Sequence, residues 1–185
     1  ALLPDYPDLR TCIAAHGPWP FKEFPVPRGL DMKEGECPYP PGPYALGRVY
    51  VYPAKLDGLG LSLPEALTCG LPAVVPDAPP WNEFVTEGGK GWLVPIARRG
   101  AREDGIAFPE TIVSVEGLVA VLRRVLEAPA FDLSYMANQA WITAQRKFSW
   151  DSFRAGVHEA FGVNEQTLLI DETTGAVSEA PLPGL

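Results

Sequence analysis

Histidine is nearly missing from this 185-residue chain. His16 and His158 are the only imidazoles, and neither has a cysteine or a second histidine at ligand spacing, so no metal site is expected. Cysteine is scarce as well. Cys12, Cys37 and Cys69 are odd in number, widely separated and without a C-x-x-C pair, which argues against a disulfide framework or a zinc knuckle and fits reduced thiols in the cytoplasm. Positive charge is in deficit: 15 Lys and Arg against 23 Asp and Glu give a net charge of −8. Nothing therefore draws the whole surface to phosphate backbones or anionic lipid, and nucleic-acid binding is disfavoured. No apolar run approaches the roughly 18 residues that span a bilayer, and the opening stretch ALLPDYPDLR has neither the basic nor the apolar part of a secretory signal.

What the chain does have is proline and glycine, 21 and 18 residues, about a fifth of its length. With 46% apolar and 10% aromatic residues it nevertheless carries enough material for a core, and its length suits one domain. The punctuating residues are unevenly placed. Pro18, Pro20, Pro25, Pro27, Pro38, Pro40, Pro41 and Pro43 crowd into residues 17–47, which reads as an extended connector. Before it, residues 9–17 contain a short apolar run that suits a buried strand and is too short to exclude a helix. The organisation expected is an incomplete amino-terminal part over 1–47, a folded domain over 48–162, and a tail over 163–185.

From residue 48 the grammar is strand, loop, helix, strand. RVYVYP (48–53) is β-branched and aromatic, PAVVP (72–76) is fully apolar, and GWLVP (91–95) makes a third strand. Between them, 62–69 predicts a short helix with Ser62 as N-cap, Pro64 in the first turn and Gly70 past its end, and 81–87 predicts a helical turn or two. This alternation predicts an α/β fold with a Rossmann-like parallel sheet and flanking helices. The last third reads as helical. Leu118, Val121, Leu122, Val125 and Leu126 make 115–128 amphipathic, 133–147 sets Ala137, Ala140, Trp141 and Ala144 on one face, and a third helix begins at Ser149 and aligns Phe153, Val157 and Phe161 before Gly162. Beyond residue 163 only a hairpin, LLIDETTGAV, is expected.

The chemistry concentrates in residues 53–76. Asp57 and Glu65 lie eight positions apart, at a strand end and in the first turn of the next helix, with Gly58 and Gly60 between them. Glycines let backbone N–H groups approach a ligand, and the start of a helix favours a phosphate. Two anions beside a phosphate would repel it, so the carboxylates need another role, that of acceptors for the paired hydroxyls of a sugar or ribose. Plainer readings stand beside this one. Ser62-x-x-Glu65 fits a capping box, and Asp57-Gly58 is a common turn pair. Leu63 occupies the third glycine position of a dinucleotide fingerprint, and no Ser or Thr follows Lys90 in Gly88-Gly89-Lys90-Gly91, so a hydride-transfer site and a P-loop are both disfavoured and a tight turn is expected there.

These residues resemble the donor-binding domain of retaining, GT-B-fold glycosyltransferases of the family 4 type, also called group 1. The family's strand, P-S-x-x-E-G-F-G-L-x-x-x-E-A and G-x-P-V-V are matched by Pro53-Ala54-Lys55-Leu56-Asp57-Gly58-Leu59-Gly60-Leu61, Glu65-Ala66 and Gly70-Leu71-Pro72-Ala73-Val74-Val75. In register behind them, Trp81-Asn82-Glu83-Phe84-Val85, Gly91-Trp92-Leu93-Val94-Pro95 and Phe148-Ser149-Trp150-Asp151 resemble further family elements, so the likeness spans about residues 48–162. The resemblance implies hexosyl transfer from a nucleotide-diphosphate-sugar to an acceptor hydroxyl with retention. The donor is a substrate, and no cofactor or obligatory metal is implied. Asp57 takes the place of the first glutamate of the family's pair, near the reacting centre. Glu65 is the second, which holds ribose hydroxyls, and the amides of Gly58, Leu59, Gly60 and Leu61 would face the sugar and diphosphate.

The sequence departs from the family in places. Asp57 is one methylene shorter than glutamate, and Ala54 lacks the usual serine hydroxyl. The family's phosphate-neutralising arginine and lysine have no counterpart, the connector lying where they would stand. Lys55 is a candidate substitute, with a solvated loop lysine as the alternative. The family's amino-terminal acceptor domain is not in the sequence, so the chain is expected to be inactive alone and to need that domain, a partner subunit or self-association. The alternative is a non-catalytic interaction module that keeps the scaffold and has lost the ligand.

Overall fold

The computed structural model describes residues 5–15, 30–34, 42–58, 60–102, 105, 108–162, 168–170 and 177–179. The chain divides into two compact units, Ala1–Ala144 and Gln145–Leu185. The first unit is built on a parallel sheet of three strands in the order β3 (Tyr50–Val51), β4 (Ala73–Pro76) and β5 (Gly91–Val94), preceded by a separate parallel pair, β1 (Thr11–Ala15) with β2 (Leu30–Glu34). Strand β2 interrupts the stretch expected to be a pattern-free connector. The segment LDMKE does alternate apolar and polar residues, a period-2 signal flanked too closely by proline to stand out. Thr11 and Cys12 of β1 are exposed, unlike the buried strand expected there.

Strand β4 is central, and all of its residues are buried. Its alternation distributes them between two cores. Ala73 and Val75 join Leu63 and Leu67 of α1 (Ser62–Thr68), Trp81 of α2 (Trp81–Phe84), Ala78, Val85, Ala140 and Ala144 on one side. Val74 turns the other way, to Trp92 and Val94 of β5, Val121 and Val125 of α3 (Val115–Glu127), and Met136 of α4 (Ala130–Lys147). A sheet covered on both faces explains why these strands read as continuous apolar runs. Each large aliphatic residue withdrawn from water contributes about 1.5–3 kcal/mol.

Local signals set the helix limits. Helix α1 ends in a Schellman turn: Gly70 at φ +73° donates its N–H to Leu67, and Leu71 donates to Ala66. Ser114 caps α3 by accepting the Gly117 N–H at 3.0 Å, and Pro129 follows its end. Helix α2 is a single turn, because Val85 is already extended and fully buried against the core, ending the helix short of the 81–87 expected. In α4 the buried positions are Met136, Ala140 and Ala144, whereas Trp141, expected on that face, is exposed. Residues 86–91 form the expected tight turn, with Gly89 and Lys90 both donating to the Thr86 carbonyl. An antiparallel pair, β6 (Ile96–Gly100) with β7 (Glu110–Val113), was not legible in the sequence.

In the second unit, α5 (Trp150–Phe161) starts at Ser149, whose hydroxyl accepts the Ser152 N–H at 3.1 Å, and stops at Gly162 in the left-handed conformation. Strands β8 (Leu168–Ile170) and β9 (Val177–Glu179) pair antiparallel as the hairpin expected there.

Candidate functional site

The segment after β3 rises from the sheet edge, turns through residues 57–60 and enters α1. Alternation from β3 into the extended residue that follows it puts Tyr50 and Tyr52 on one face, where their rings stack with centroids 5.5 Å apart. Tyr44, from the 3-10 turn Gly42–Leu46, meets Tyr50 edge-on at 5.7 Å. The two outer phenols each hold one carboxylate. Tyr44 donates to Glu65 Oε2 at 2.6 Å, and Tyr52 donates to Asp57 Oδ2. The central Tyr50 lies within electrostatic reach of both. Burial pushes its phenol above the ordinary value, the charges of Glu65 and Asp57 add to that, and a hydrogen bond with Ser62 opposes it. The Tyr52 phenol is pushed up to about 12, first by burial and then by its hydrogen bond to Asp57.

The structure therefore brings Asp57 and Glu65 to a common aromatic base, both half-buried. Among the described residues neither carboxylate enters an ion pair; those pairs are Arg98–Glu110, Arg123–Asp5, Arg124–Glu87 and Arg154–Asp151. No group of three potential metal ligands occurs among the described residues. Partial burial and the Glu65 charge push the Cys69 thiol up, away from what a thiolate nucleophile would require.

Several details differ from expectation. Ser62 is not an N-cap. Leu61 occupies the cap position in a helical conformation without a side-chain cap hydrogen bond, and Ser62 opens the helix. The capping box is absent, and Glu65 is bonded to Tyr44 instead. Helix α1 has seven residues, too short for its dipole to dominate the loop. Of the loop amides, that of Gly60 is engaged: it donates to Asp57 Oδ1 at 2.8 Å, the local turn contact that Asp-Gly pairs favour. Gly58 is exposed and has open space around it. Leu61 is 64% exposed, and Leu59 lies outside the described residues. Lys55 has an exposed side chain, and its carbonyl accepts the N–H of buried Thr111, tying the loop to β7. The three tyrosines were missed from the sequence. The Tyr-x-Tyr spacing at 50 and 52 was the available signal, since it places two phenols on one strand face directly before the acidic loop.

This geometry defines a class: an α/β unit with a parallel sheet and flanking helices, half of a GT-B fold, with two carboxylates on the loop and helix that follow a strand. Comparison with known proteins agrees. Residues 43–108 match the family described as Glycosyl transferases group 1. The chain is 26% identical over 108 residues to the UDP-N-acetylglucosamine–peptide N-acetylglucosaminyltransferase GtfA subunit of Streptococcus gordonii, a match covering 58% of this chain and 20% of that protein. Among solved structures it resembles the pneumococcal O-GlcNAc transferase GtfA in complex with UDP and GlcNAc, at TM-score 0.57 and 20% identity over 86% of this chain and 31% of that one. A GtfA/B complex is similar at TM-score 0.63 and 18% identity, over 86% of this chain and 30% of that one. The chain thus spans about a fifth of the length of its curated relative and under a third of these structures. No helix among the described residues is long and apolar enough to cross a membrane.

Proposed function

We propose that this chain is the donor-binding part of a retaining glycosyltransferase of the family 4 type. In the proposed reaction the bond between the sugar's anomeric carbon and the diphosphate breaks, a bond to the acceptor hydroxyl's oxygen forms on the same face, and the hydroxyl's proton passes to the departing diphosphate. Asp57 accepts hydrogen bonds from sugar hydroxyls beside that centre, and Glu65 accepts those of the ribose. The loop amides that the family resemblance assigns, those of Gly58, Leu59, Gly60 and Leu61, would with Lys55 lie against the diphosphate, where fixed dipoles and a cation stabilise the leaving group.

The observation that carries this reading is the assembly of Asp57 and Glu65 on one tyrosine base, outside any described ion pair and inside the region matching the group 1 family. A carboxylate offers about four lone-pair sites, so one that already accepts one or two hydrogen bonds keeps room for a hydroxyl. The UDP and GlcNAc in the pneumococcal structure make uracil the first donor base to test. Calorimetric titration of the 185-residue chain with UDP-, GDP- and ADP-sugars is expected to find micromolar to millimolar binding to one class, lost in Asp57→Ala and Glu65→Ala. Binding that both variants leave untouched overturns the site.

We also propose that these 185 residues bind donor without transferring sugar, and that they work with a further domain, a partner subunit or a second copy. The GtfA/B complex supports an arrangement of that kind. Sugar transfer by the purified chain, or a strictly monomeric species in light scattering that nonetheless transfers, refutes it. One observation favours the alternative of a scaffold that has lost its ligand: Tyr52, Tyr44 and the Gly60 amide already donate to the two carboxylates. A donor raises the melting temperature under the first reading and not under the second.

A further inference from the structure

Asp57 and Glu65 lie on separate local elements, a turn and a helix; the Gly60 N–H holds Asp57 from the backbone, and the spacing of the two carboxylates calls for a further link between side chains. The tyrosines supply that connection. Tyr52, Tyr50 and Tyr44 form a continuous row of rings, one pair stacked at 21° and the next edge-on at 70°. The phenol at each end of the row donates to one carboxylate. Aromatic side chains have few rotatable bonds, so the row acts as a spacer whose length changes little.

We propose that Tyr44 and Tyr52 are positioning residues that hold Glu65 and Asp57 at a set separation, so that the two carboxylates engage hydroxyls at opposite ends of one nucleotide-sugar. The inference rests on the donor-binding reading above. Each phenol occupies one lone pair of its carboxylate and aims those that remain, and Gly60 does the same from the other side of Asp57. Neither tyrosine needs to touch the ligand.

The test uses calorimetry on the full chain with three probes: UDP, 2′,3′-dideoxy-UDP and UDP-N-acetylglucosamine. Tyr44→Phe keeps the ring row and removes one donor. It is expected to weaken UDP roughly three- to tenfold while leaving the dideoxy compound, which lacks the hydroxyls Glu65 would hold, within about twofold. Tyr52→Phe is expected to leave UDP within about twofold and to weaken UDP-N-acetylglucosamine roughly three- to tenfold. A merely structural role would shift every probe by a common factor, and that pattern overturns the proposal. So does an unchanged profile in both variants while Glu65→Ala and Asp57→Ala abolish binding, an outcome that leaves the donor-binding reading standing. Absence of binding by the unaltered chain sinks that reading and this one together.

A ligand-free measurement separates the two further. In an ultraviolet-monitored titration the phenol that disappears in Tyr52→Phe is expected to be the one near 12, and Asp57→Asn is expected to bring it down. A Tyr52 phenol indifferent to Asp57→Asn removes the contact on which the proposal depends.

Discussion

Gly91 opens β5 opposite Ala73 of the central strand, at a backbone approach that leaves no room for a side chain. A Cβ built on Gly91 would lie 1.9 Å from the Ala73 carbonyl oxygen and 2.8 Å from both its carbonyl carbon and its nitrogen. Ordinary contact begins near 3.4 Å, so the two backbones would have to part by more than an ångström. Strand β4 cannot retreat, because Ala73 is fully buried and paired on its far side with Tyr50. The separation would also stretch the bond from the Ala73 N–H to the Lys90 carbonyl, now 3.1 Å. Overpacking costs about 1–3 kcal/mol and a lost ladder bond about 1 kcal/mol more, so Gly91→Ala is expected to destabilise by about 2–4 kcal/mol. For a chain of this size that is a fall of roughly 4–16 °C in Tm by circular dichroism. Gly58→Ala is the control, since nothing lies within 4 Å of the place its Cβ would take; it is expected to stay within about 0.5 kcal/mol. A Gly91→Ala protein that melts within a degree or two of the unaltered chain contradicts the close approach.

Other expectations follow from burial, capping and titration. Leu67 is fully buried against β4, so Leu67→Ala should cost about 2–5 kcal/mol in urea unfolding, whereas Leu61→Ala, on a side chain 64% exposed, should cost little. Ser114→Ala removes the acceptor for the Gly117 N–H and should cost about 1 kcal/mol by the same measurement; no change would mean that water caps α3 equally well. Tyr52 holds its proton more tightly when folded than when unfolded, so its contribution to stability is complete below the ordinary phenol value of 10.0 and is lost as pH rises through about 12. Unfolding at about pH 8 and about pH 11 should therefore reveal an alkaline loss that is smaller in Tyr52→Phe, and equal losses in both proteins would refute the assignment.

Where short-range chemistry decides, the sequence was a sound guide. Gly70 stopped α1 and Ser149 capped α5, each through groups a few residues apart, and the apolar run PAVVP, whose composition alone marks it for burial, became the central strand. What escaped it depends on partners distant in sequence or on competition for one atom. Ser62 reads as a cap, yet Glu65, which should complete that capping box, is drawn to Tyr44, 21 residues away. Trp141 fits the small-residue face of α4 by spacing, but Met136, Ala140 and Ala144 are the positions that meet the sheet. The hairpin of β6 and β7 carries Arg98, Arg99 and Glu110 and is mostly unburied, so it has no hydrophobic period to read.

Asp57 stands where the family it resembles has glutamate, and the structure gives that difference a consequence. Its Oδ1 reaches the Gly60 N–H at 2.8 Å while Oδ2 accepts from Tyr52, a two-sided contact that depends on the short side chain. A glutamate, one methylene longer, would carry its carboxylate past the Gly60 amide. Gly60 is buried and held at φ +67°, so the released N–H would lose its partner without gaining ready access to water. Leaving such a donor unpaired costs about 1–3 kcal/mol, unless an oxygen of a bound diphosphate takes the proton instead. Asp57→Glu is therefore expected to lower the melting temperature of the free chain and to enlarge the rise produced by a saturating nucleotide-sugar, since the ligand would then satisfy an amide that Asp57 now occupies. The aspartate would in that case stabilise the empty site at the expense of donor affinity. A variant whose free chain melts unchanged, or whose ligand-induced rise is smaller than that of the unaltered protein, shows that the Gly60 amide does not pass from carboxylate to phosphate.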